Sequence, residues 1–318
     1  KDIKRIVLTE GEDERVLHAA QQVVSQKLAF PILVGDAKLI EERLHSQGLT
    51  IQPGKDFELV DIKNSPYYEA SWKEYYNLRK RKGVTEEMAR RRLKANSTLV
   101  GALLVRLGHA DGLVCGTMGR FHDHFAVMEE VIGYNNPEKE AFAMNALISN
   151  KGNFFIADTY INENPTAEQL AKGTLMCAAE MKRFGLKPKV ALVSNTNYGS
   201  NRNPDANKMQ QALELIRELD PALEIDGEMQ ADVALDEEMR KSIFPETTLS
   251  GAANLLVMPN VEAANISYNL LRVNATNGIT VGPILMGLNK PVQIVTPIST
   301  VRRIVNMIAL AVVDAQRQ

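Results

Sequence analysis

Short apolar runs alternate along the chain with stretches whose apolar residues recur at helical spacing. Arg5 to Thr9 reads as a strand, and Val16, Leu17, Ala20, Val23 and Val24 then mark a helix over Glu12 to Gln26. Phe30 to Val34 is the next strand and Ala37 to Gln47 the next helix. Three helical stretches fill residues 66 to 108, and Gly112 to Cys115 is a buried strand leading into Gly116-Thr117. Ala141 to Ile148 and Asn153 to Ala157 flank Asn150-Lys151-Gly152 and read as a hairpin. Beyond it come a helix over Thr166 to Phe184, a strand over Lys189 to Val193 and a helix opening near Pro204. Strands at Leu255 to Met258, Ile279 to Val281 and Val292 to Val295 follow, with helices over Val261 to Val273 and Ser299 to Ala315.

This alternation predicts an α/β protein built on doubly wound parallel sheets, and the hairpin marks a change of lobe. In such folds ligands sit beyond the carboxyl ends of strands, where helix-start N–H groups are free, so the strand-to-helix junctions are where chemistry is sought.

Three junctions carry it. Val193 to Asn201 holds Ser194, Asn195, Thr196, Asn197, Tyr198, Gly199 and Ser200 after a buried strand. Hydroxyls, amides and a flexible backbone suit a phosphate, an acyl oxygen or a pantetheine amide, and they equally suit an ordinary loop of Asx-turns. The second junction is Thr296-Pro297-Ile298-Ser299-Thr300-Val301-Arg302-Arg303. With Ser299 as the expected N-cap, both arginines fall near the positive end of a helix dipole, which points to a compensating anion, to salt bridges with nearby carboxylates, or to arginines directed into solvent. The third, Thr9-Glu-Gly-Glu-Asp-Glu-Arg15, places acids at a helix start and reads first as capping.

Other constellations carry less. His122-Asp123-His124 lacks a third ligand at a metal spacing. Asp226, Glu228 and Asp232 are three carboxylates that must converge to do acid–base work, and a solvated loop is the competing expectation. Tyr67, Tyr68, Trp72, Tyr75 and Tyr76 share a helix face, as a core or subunit contact would. No GxGxxG, P-loop or GxSxG motif occurs.

Composition narrows the class. The 318 residues are 45% hydrophobic and 24% charged with net charge −2, a globular balance without the basic excess that nucleic acid as a main partner requires. Cys115 and Cys177 lie in apolar stretches and read as buried thiols of a reduced, cytoplasmic protein. The longest apolar run, Met307 to Val313, falls well short of the ~18 residues that span a bilayer, so no membrane association is expected. The chain opens Lys1-Asp2-Ile3-Lys4 without an initiator Met, and is expected to be part of a longer protein.

Several stretches together resemble the phosphate acetyltransferase family: Glu10-Gly-Glu-Asp-Glu-Arg-Val16, Asp226-Gly-Glu-Met-Gln230, Ala253 to Asn260, Asn265-Ile-Ser-Tyr268 and Thr280 to Pro291. The resemblance implies two α/β lobes like those of isocitrate and isopropylmalate dehydrogenases, a cleft for coenzyme A and acetyl phosphate, and a dimer. Its lobes are expected at residues 1–142 plus 284–318 and at 143–283, together one phosphotransacetylase-like domain.

The last motif departs from the family. Lys290-Pro291 and Ile304-Val305-Asn306 anchor the stretch at both ends, but Thr296-Pro297 stand where the family has Ser-Arg, and Arg302-Arg303 where it has acids. In the family the acid helps to deprotonate the thiol and the Ser-Arg pair holds the acyl group. Arginine is no base at neutral pH, proline donates no hydrogen bond, and one lost oxyanion donor costs ~10²–10³ in rate. The departures leave no catalytic residue and no metal site assigned to this chain.

The wording of Tyr268 to Val273 and Pro297 to Val313 is similar to the C-terminal phosphotransacetylase-like domain of bacterial hybrid malic enzymes. That narrower resemblance implies a domain that binds acetyl-CoA through Ser194 to Ser200, Thr296 to Ile298, Arg302 and Arg303, regulates malate oxidation and assembles the oligomer. NADP and a divalent metal belong to an N-terminal part lying outside this chain. Two alternatives stand beside it: a working acetyltransferase with a relocated base such as Asp232 or Asp123, and a structural oligomerisation module with a vestigial cleft.

Overall fold

The computed structural model describes residues 2–61, 64–149, 152–201, 203–275 and 278–317. Two compact units form, one from Lys1–Lys139 with Leu288–Gln318 and one from Glu140–Gly287.

The first unit holds a parallel sheet of β1 (Lys4–Leu8), β2 (Ala29–Gly35), β3 (Glu58–Asp61), β4 (Gly112–Cys115) and β11 (Val292–Ile294), ordered β11-β4-β1-β2-β3. All its pairings are parallel; from β1 the chain adds β2 and β3 on one side and then β4 and β11 on the other, so the order of winding switches between β1 and β4. Its helices are α1 (Glu14–Ser25), α2 (Ala37–Ser46), α3 (Tyr68–Arg79), α4 (Glu86–Ala95), α5 (Ser97–Arg106), α6 (Phe121–Val131) and α12 (Val301–Ala315). α5 is buried from Thr98 to Val105 because it lies on the sheet itself. A Cβ on Gly101 would come within 2.5 Å of Thr9 Cγ2 and 2.8 Å of Leu113 Cδ1, so only glycine permits that approach. α12 packs on β1, β4 and β11 and against α1. Trp72 and Tyr75 of the aromatic stripe are buried in this unit, with the Arg90 guanidinium 3.6 Å from the Trp72 ring centroid.

The second unit has a mixed sheet, whose antiparallel part includes the pair of strands expected at 141–157. Its strands are β5 (Phe142–Ser149), β6 (Gly152–Ala157), β7 (Val190–Val193), β8 (Ile225–Met229), β9 (Leu255–Val257) and β10 (Ile279–Met286), ordered β10-β5-β6-β9-β7-β8. β10, β5 and β6 pair antiparallel, and β6, β9, β7 and β8 pair parallel. The expected turn residues Asn150 and Lys151 lie outside the described residues. β10 runs to Met286, well past the expected end at Val281, through Gly282-Pro283. Its register against β5 shifts between Val281 and Ile284, and a proline without an N–H is tolerated at such a bulge on an edge strand. Gly282 sits at φ 123°, where a Cβ would come within 2.7 Å of Asn145 Oδ1. Because β5 and β10 pair from Phe142–Met286 to Ile148–Ile279, the chain changes unit at 139/140 and 287/288 rather than at 142/143 and 283/284.

The helices of this unit are α7 (Ala167–Arg183), α8 (Pro204–Leu219), α9 (Ala231–Leu235), α10 (Glu237–Ile243) and α11 (Val261–Asn274). Among the described residues no helix is long and apolar enough to cross a membrane. Both cysteines are free and buried. Burial pushes both thiols well above their ordinary pKa, and the nearby Glu10 carboxylate adds to the effect at Cys115.

Candidate functional site

At the carboxyl ends of β1, β4 and β11 three junctions of the first unit are tied together by side chains from the first. The Asp13 side chain caps α1 by accepting from Arg15 N–H. Capping is only part of what this junction does. Glu10 is half-buried: its Oε1 accepts from Thr9 Oγ1 at 2.7 Å and its Oε2 from Gly116 N–H at 2.9 Å and Thr117 Oγ1 at 3.3 Å. Burial pushes its carboxyl pKa up, and these donors oppose the shift. Arg15 reaches further. Its Nη2 donates to Thr117 O at 3.0 Å, and its Nη1 donates to Pro297 O and, at 3.1 Å, to Ser299 O.

The segment thus held is 296–303. Ser299 is not the cap of α12. It is buried, and its Oγ accepts from Thr296 N–H at 3.1 Å, closing the turn, while Thr300 caps the helix by accepting from Arg303 N–H. The correction moves the helix start by one residue and leaves both arginines in the first turn, Arg302 exposed and Arg303 half-buried. Thr296 is buried, Pro297 is exposed and Ile298 is 65% exposed, so an apolar tip stands beside the cationic first turn. Residues 296–303 contain no carboxylate and no thiol. The segment can hold an anion and an apolar group but has no proton acceptor for thiol chemistry.

A separate pocket of about 420 Å³ opens beyond the ends of β1 and β4, where the winding order switches, lined by Glu10, Glu12, Lys94, Asn96, Asp123 and His124 among others. None of the ligand residues expected from the sequence lines it. His124 is occupied: Nε2 donates to Met118 O at 2.6 Å and Nδ1 meets Thr98 Oγ1 at 2.8 Å. Asp123 pairs with Arg120, whose guanidinium holds its carboxyl below the ordinary range. Among the described residues no three His, Cys, Asp or Glu side chains gather as a metal site.

In the second unit residues 194–200 form the β7–α8 junction, and the expected solvated loop at 226–232 is instead mostly the buried strand β8. Glu228 is 0% exposed because the neighbouring loop closes over it. Its Oε1 accepts from Thr196 Oγ1 at 2.9 Å and Gly199 N–H at 3.0 Å, and its Oε2 from Gln210 Nε2 at 3.1 Å. Its main-chain carbonyl accepts from Tyr198 N–H at 2.8 Å. Asn197 and Gln230 exchange hydrogen bonds, with Asn197 Nδ2 donating at 2.9 Å and Gln230 N–H at 2.8 Å. Tyr198, at φ 47°, stacks on Phe244 with ring centroids 4.3 Å apart, and burial pushes its phenol up to about 12. Asn195, Gly199 and Ser200 remain exposed, whereas Ser194 and Thr196 face inward.

The three acids of 226–232 do not converge. Asp226 accepts from Thr247 Oγ1 at 2.6 Å and pairs with Arg217, while Asp232 is exposed and accepts from Val233 N–H. Sequence reasoning missed Glu228 as the organiser of the loop and Arg15 as a tie between junctions. Glu228 could have been found as a charged residue within an apolar strand, without a partner nearby in sequence; Arg15 carried no such signal, because Asp13 two residues away satisfies it locally. It also missed Arg240, which is fully buried and donates to the carbonyls of Val233, Ala234, Leu249 and Gly251.

Residues 1–312 match the family model for phosphate acetyl/butaryl transferase. The NADP-dependent malic enzyme of Escherichia coli K12 is 54% identical over 315 residues, which is 99% of this chain and 42% of that protein. The phosphate acetyltransferase of Corynebacterium glutamicum is 33% identical over 98% of this chain and 93% of its own length. The solved phosphotransacetylase from Streptococcus pyogenes superposes with a TM-score of 0.90 at 28% identity, covering 99% of this chain and 95% of that one. The chain spans less than half the length of the malic enzymes it matches.

Proposed function

From a chain that belongs to the phosphate acetyl/butaryl transferase family, we propose a regulatory role. It is the acetyl-CoA-binding, catalytically degenerate C-terminal domain of a cytoplasmic malic enzyme that oxidatively decarboxylates malate to pyruvate. NADP and a divalent metal act in the remainder of that enzyme.

One observation carries the reading: Thr296-Pro297 and Arg302-Arg303 sit at the start of α12 with no carboxylate among residues 296–303. Guanidinium groups stay charged at neutral pH and pair with phosphate oxygens, so the segment suits coenzyme phosphates and cannot take a proton from a thiol. Exposed Ile298 offers apolar contact in the first unit, and the second unit's own exposed Asn195 and Ser200 offer polar contacts there. Acetyl-CoA binding then biases malate turnover, with a coupling of ~1–3 kcal/mol, or roughly 5- to 150-fold.

Malate turnover by the full-length enzyme, with and without acetyl-CoA, tests this. Wild type responds to the coenzyme, and Arg302→Glu loses most of the response while keeping basal turnover. Phosphate-dependent release of CoA from acetyl-CoA by this chain would replace the reading with an active acetyltransferase.

Self-association belongs to the same proposal. Ile266, Leu270 and Val273 lie on one face of α11 and are 59%, 62% and 79% exposed. A two-fold contact sets the same patch of two copies against each other, and an uncharged stripe is complementary to itself. Leu270→Glu is expected to turn a dimer into a monomer in light scattering at unchanged thermal stability. A chain that assembles but binds no acetyl-CoA would favour a purely structural module.

A further inference from the structure

We infer that Arg15 is a positioning residue for the ligand contacts of the Thr296–Ser299 turn; the inference rests on the acetyl-CoA reading above. A guanidinium carries five N–H donors in a rigid plane. In Arg15 all five are engaged. Nε donates to Asp13 Oδ1 at 3.0 Å, and Nη2 donates to Asp13 Oδ2 at 2.6 Å and to Thr117 O at 3.0 Å. Nη1 supplies the last two, to Pro297 O and Ser299 O. One side chain therefore fixes the ends of β1, β4 and β11 relative to one another.

The consequence lies on the far side of those peptides. The peptide bonds following Pro297 and Ser299 are trans, so each N–H points opposite to its C=O. Drawing the two carbonyls onto Arg15 turns the N–H groups of Ile298 and Thr300 away from it. Among the described residues neither finds an acceptor, and the first two N–H groups of α12, on Val301 and Arg302, are likewise without one. The guanidinium also polarises both peptides and makes those N–H groups better donors. Arg15 thus turns two main-chain donors outward, beside the two of the α12 start and Arg302, toward an anionic group of the coenzyme without touching it. Lysine, with one compact charge, cannot engage three carbonyls and a carboxylate in one plane.

Calorimetric titration of acetyl-CoA into wild type, Arg15→Ala and Arg15→Lys tests this, alongside hydrogen exchange across residues 296–303. Arg15→Ala is expected to weaken binding about tenfold, as befits loss of charge-assisted hydrogen bonds, and Arg15→Lys to recover little of it. Guanidinium chloride at low millimolar concentration should restore affinity to Arg15→Ala but add nothing to wild type, while potassium chloride at equal ionic strength restores none. A merely destabilised fold would show no such selectivity. Wild-type affinity in Arg15→Ala, or in Arg15→Lys, overturns the positioning role. Exchange at Thr296 and Ser299, whose N–H groups close the turn that Arg15 holds, should rise in the free Arg15→Ala protein, and unchanged exchange overturns the role as well. Failure of wild type to bind acetyl-CoA, with exchange raised as expected, would instead overturn the functional reading and leave Arg15 holding the turn for another anion.

Discussion

Glu228 offers the clearest separation between a loop shaped for binding and a loop that merely covers a strand. Its carboxylate holds three donors, and these differ in how they can respond to a change. The Thr196 hydroxyl can rotate and the Gln210 amide can flip, but Gly199 N–H is fixed. In Glu228→Gln the carboxamide oxygen can take the place of Oε1, keeping Thr196 and Gly199, while its NH₂ meets a flipped Gln210. What is lost is charge assistance, and what is gained is relief from burying a charge, so the net cost is about 1 kcal/mol. In Glu228→Leu all three donors lose their acceptor at similar side-chain volume. Bonds to a charged acceptor contribute ~1.5–3 kcal/mol each, but Gly199 is exposed and water can replace its bond, so the total falls near ~3–5 kcal/mol. That is a large part of the ~5–15 kcal/mol by which proteins are usually stable. Urea unfolding followed by circular dichroism, with hydrogen exchange at Tyr198 and Gly199, measures both. The main-chain bond from Tyr198 to Glu228 survives either change, so exchange at Gly199 should rise in the leucine variant far more than at Tyr198. If the two variants fall within about 0.5 kcal/mol of each other, the satisfaction of these donors is not what holds the loop.

Three further outcomes are expected. Arg240→Met should destabilise by about 3–5 kcal/mol in urea unfolding, because several buried carbonyls lose a charged donor at once. Glu224 feels burial, which raises its pKa, but the Lys187 ammonium and the Ser250 hydroxyl and N–H outweigh it and bring the group down from 4.5 to about 2. A depressed folded-state pKa stabilises above the unfolded value and is lost as pH falls, so Glu224→Gln should lower the melting temperature at neutral pH and flatten its fall between pH 4.5 and 2. Cys115 and Cys177, buried with raised pKa, should resist a thiol reagent in the native state and react together on unfolding.

The first unit was legible where periodicity and burial agree. β1, α1, β2 and α2 follow from apolar spacing alone, because each buries one continuous stripe. α12 was legible as a helix but not at its start, since Ser299 and Thr300 are both hydroxyl residues and only tertiary burial of Ser299 decides between them. β8 was invisible for a different reason. Asp226 and Glu228 break its apolar pattern, and the groups that compensate them lie 9 to 32 residues away. β10 was read too short because Gly282-Pro283 has the composition of a stop, and only pairing with β5 carries the strand past it.

The candidate segments were easier to locate than to interpret. Polarity in 194–200 reads as ligand contact, yet Thr196 and Gly199 serve Glu228, and Asn197 serves Gln230. Charge in 9–15 reads as capping, yet Glu10 and Arg15 reach residues 106 and 284 positions away. The two junction motifs that carry the family resemblance, Glu10 to Val16 and Asp226 to Gln230, thus act on backbone shape, each fixing a neighbouring junction of its own unit. Shape and chemistry are then borne by different residues. Glu10, Arg15, Glu228 and Ser299 set the conformation of the candidate segments, while Thr296, Pro297, Arg302 and Arg303 set what those segments can do to a ligand. A chain can change the second set and keep the first, because a charge held by backbone donors or carbonyls is costly to remove whether or not turnover continues. On the proposed reading, that separation lets a domain keep binding a coenzyme whose chemistry it no longer performs, and it makes Arg302→Glu, which spares every shaping residue, the variant that should lose most of the response to acetyl-CoA without unfolding the chain.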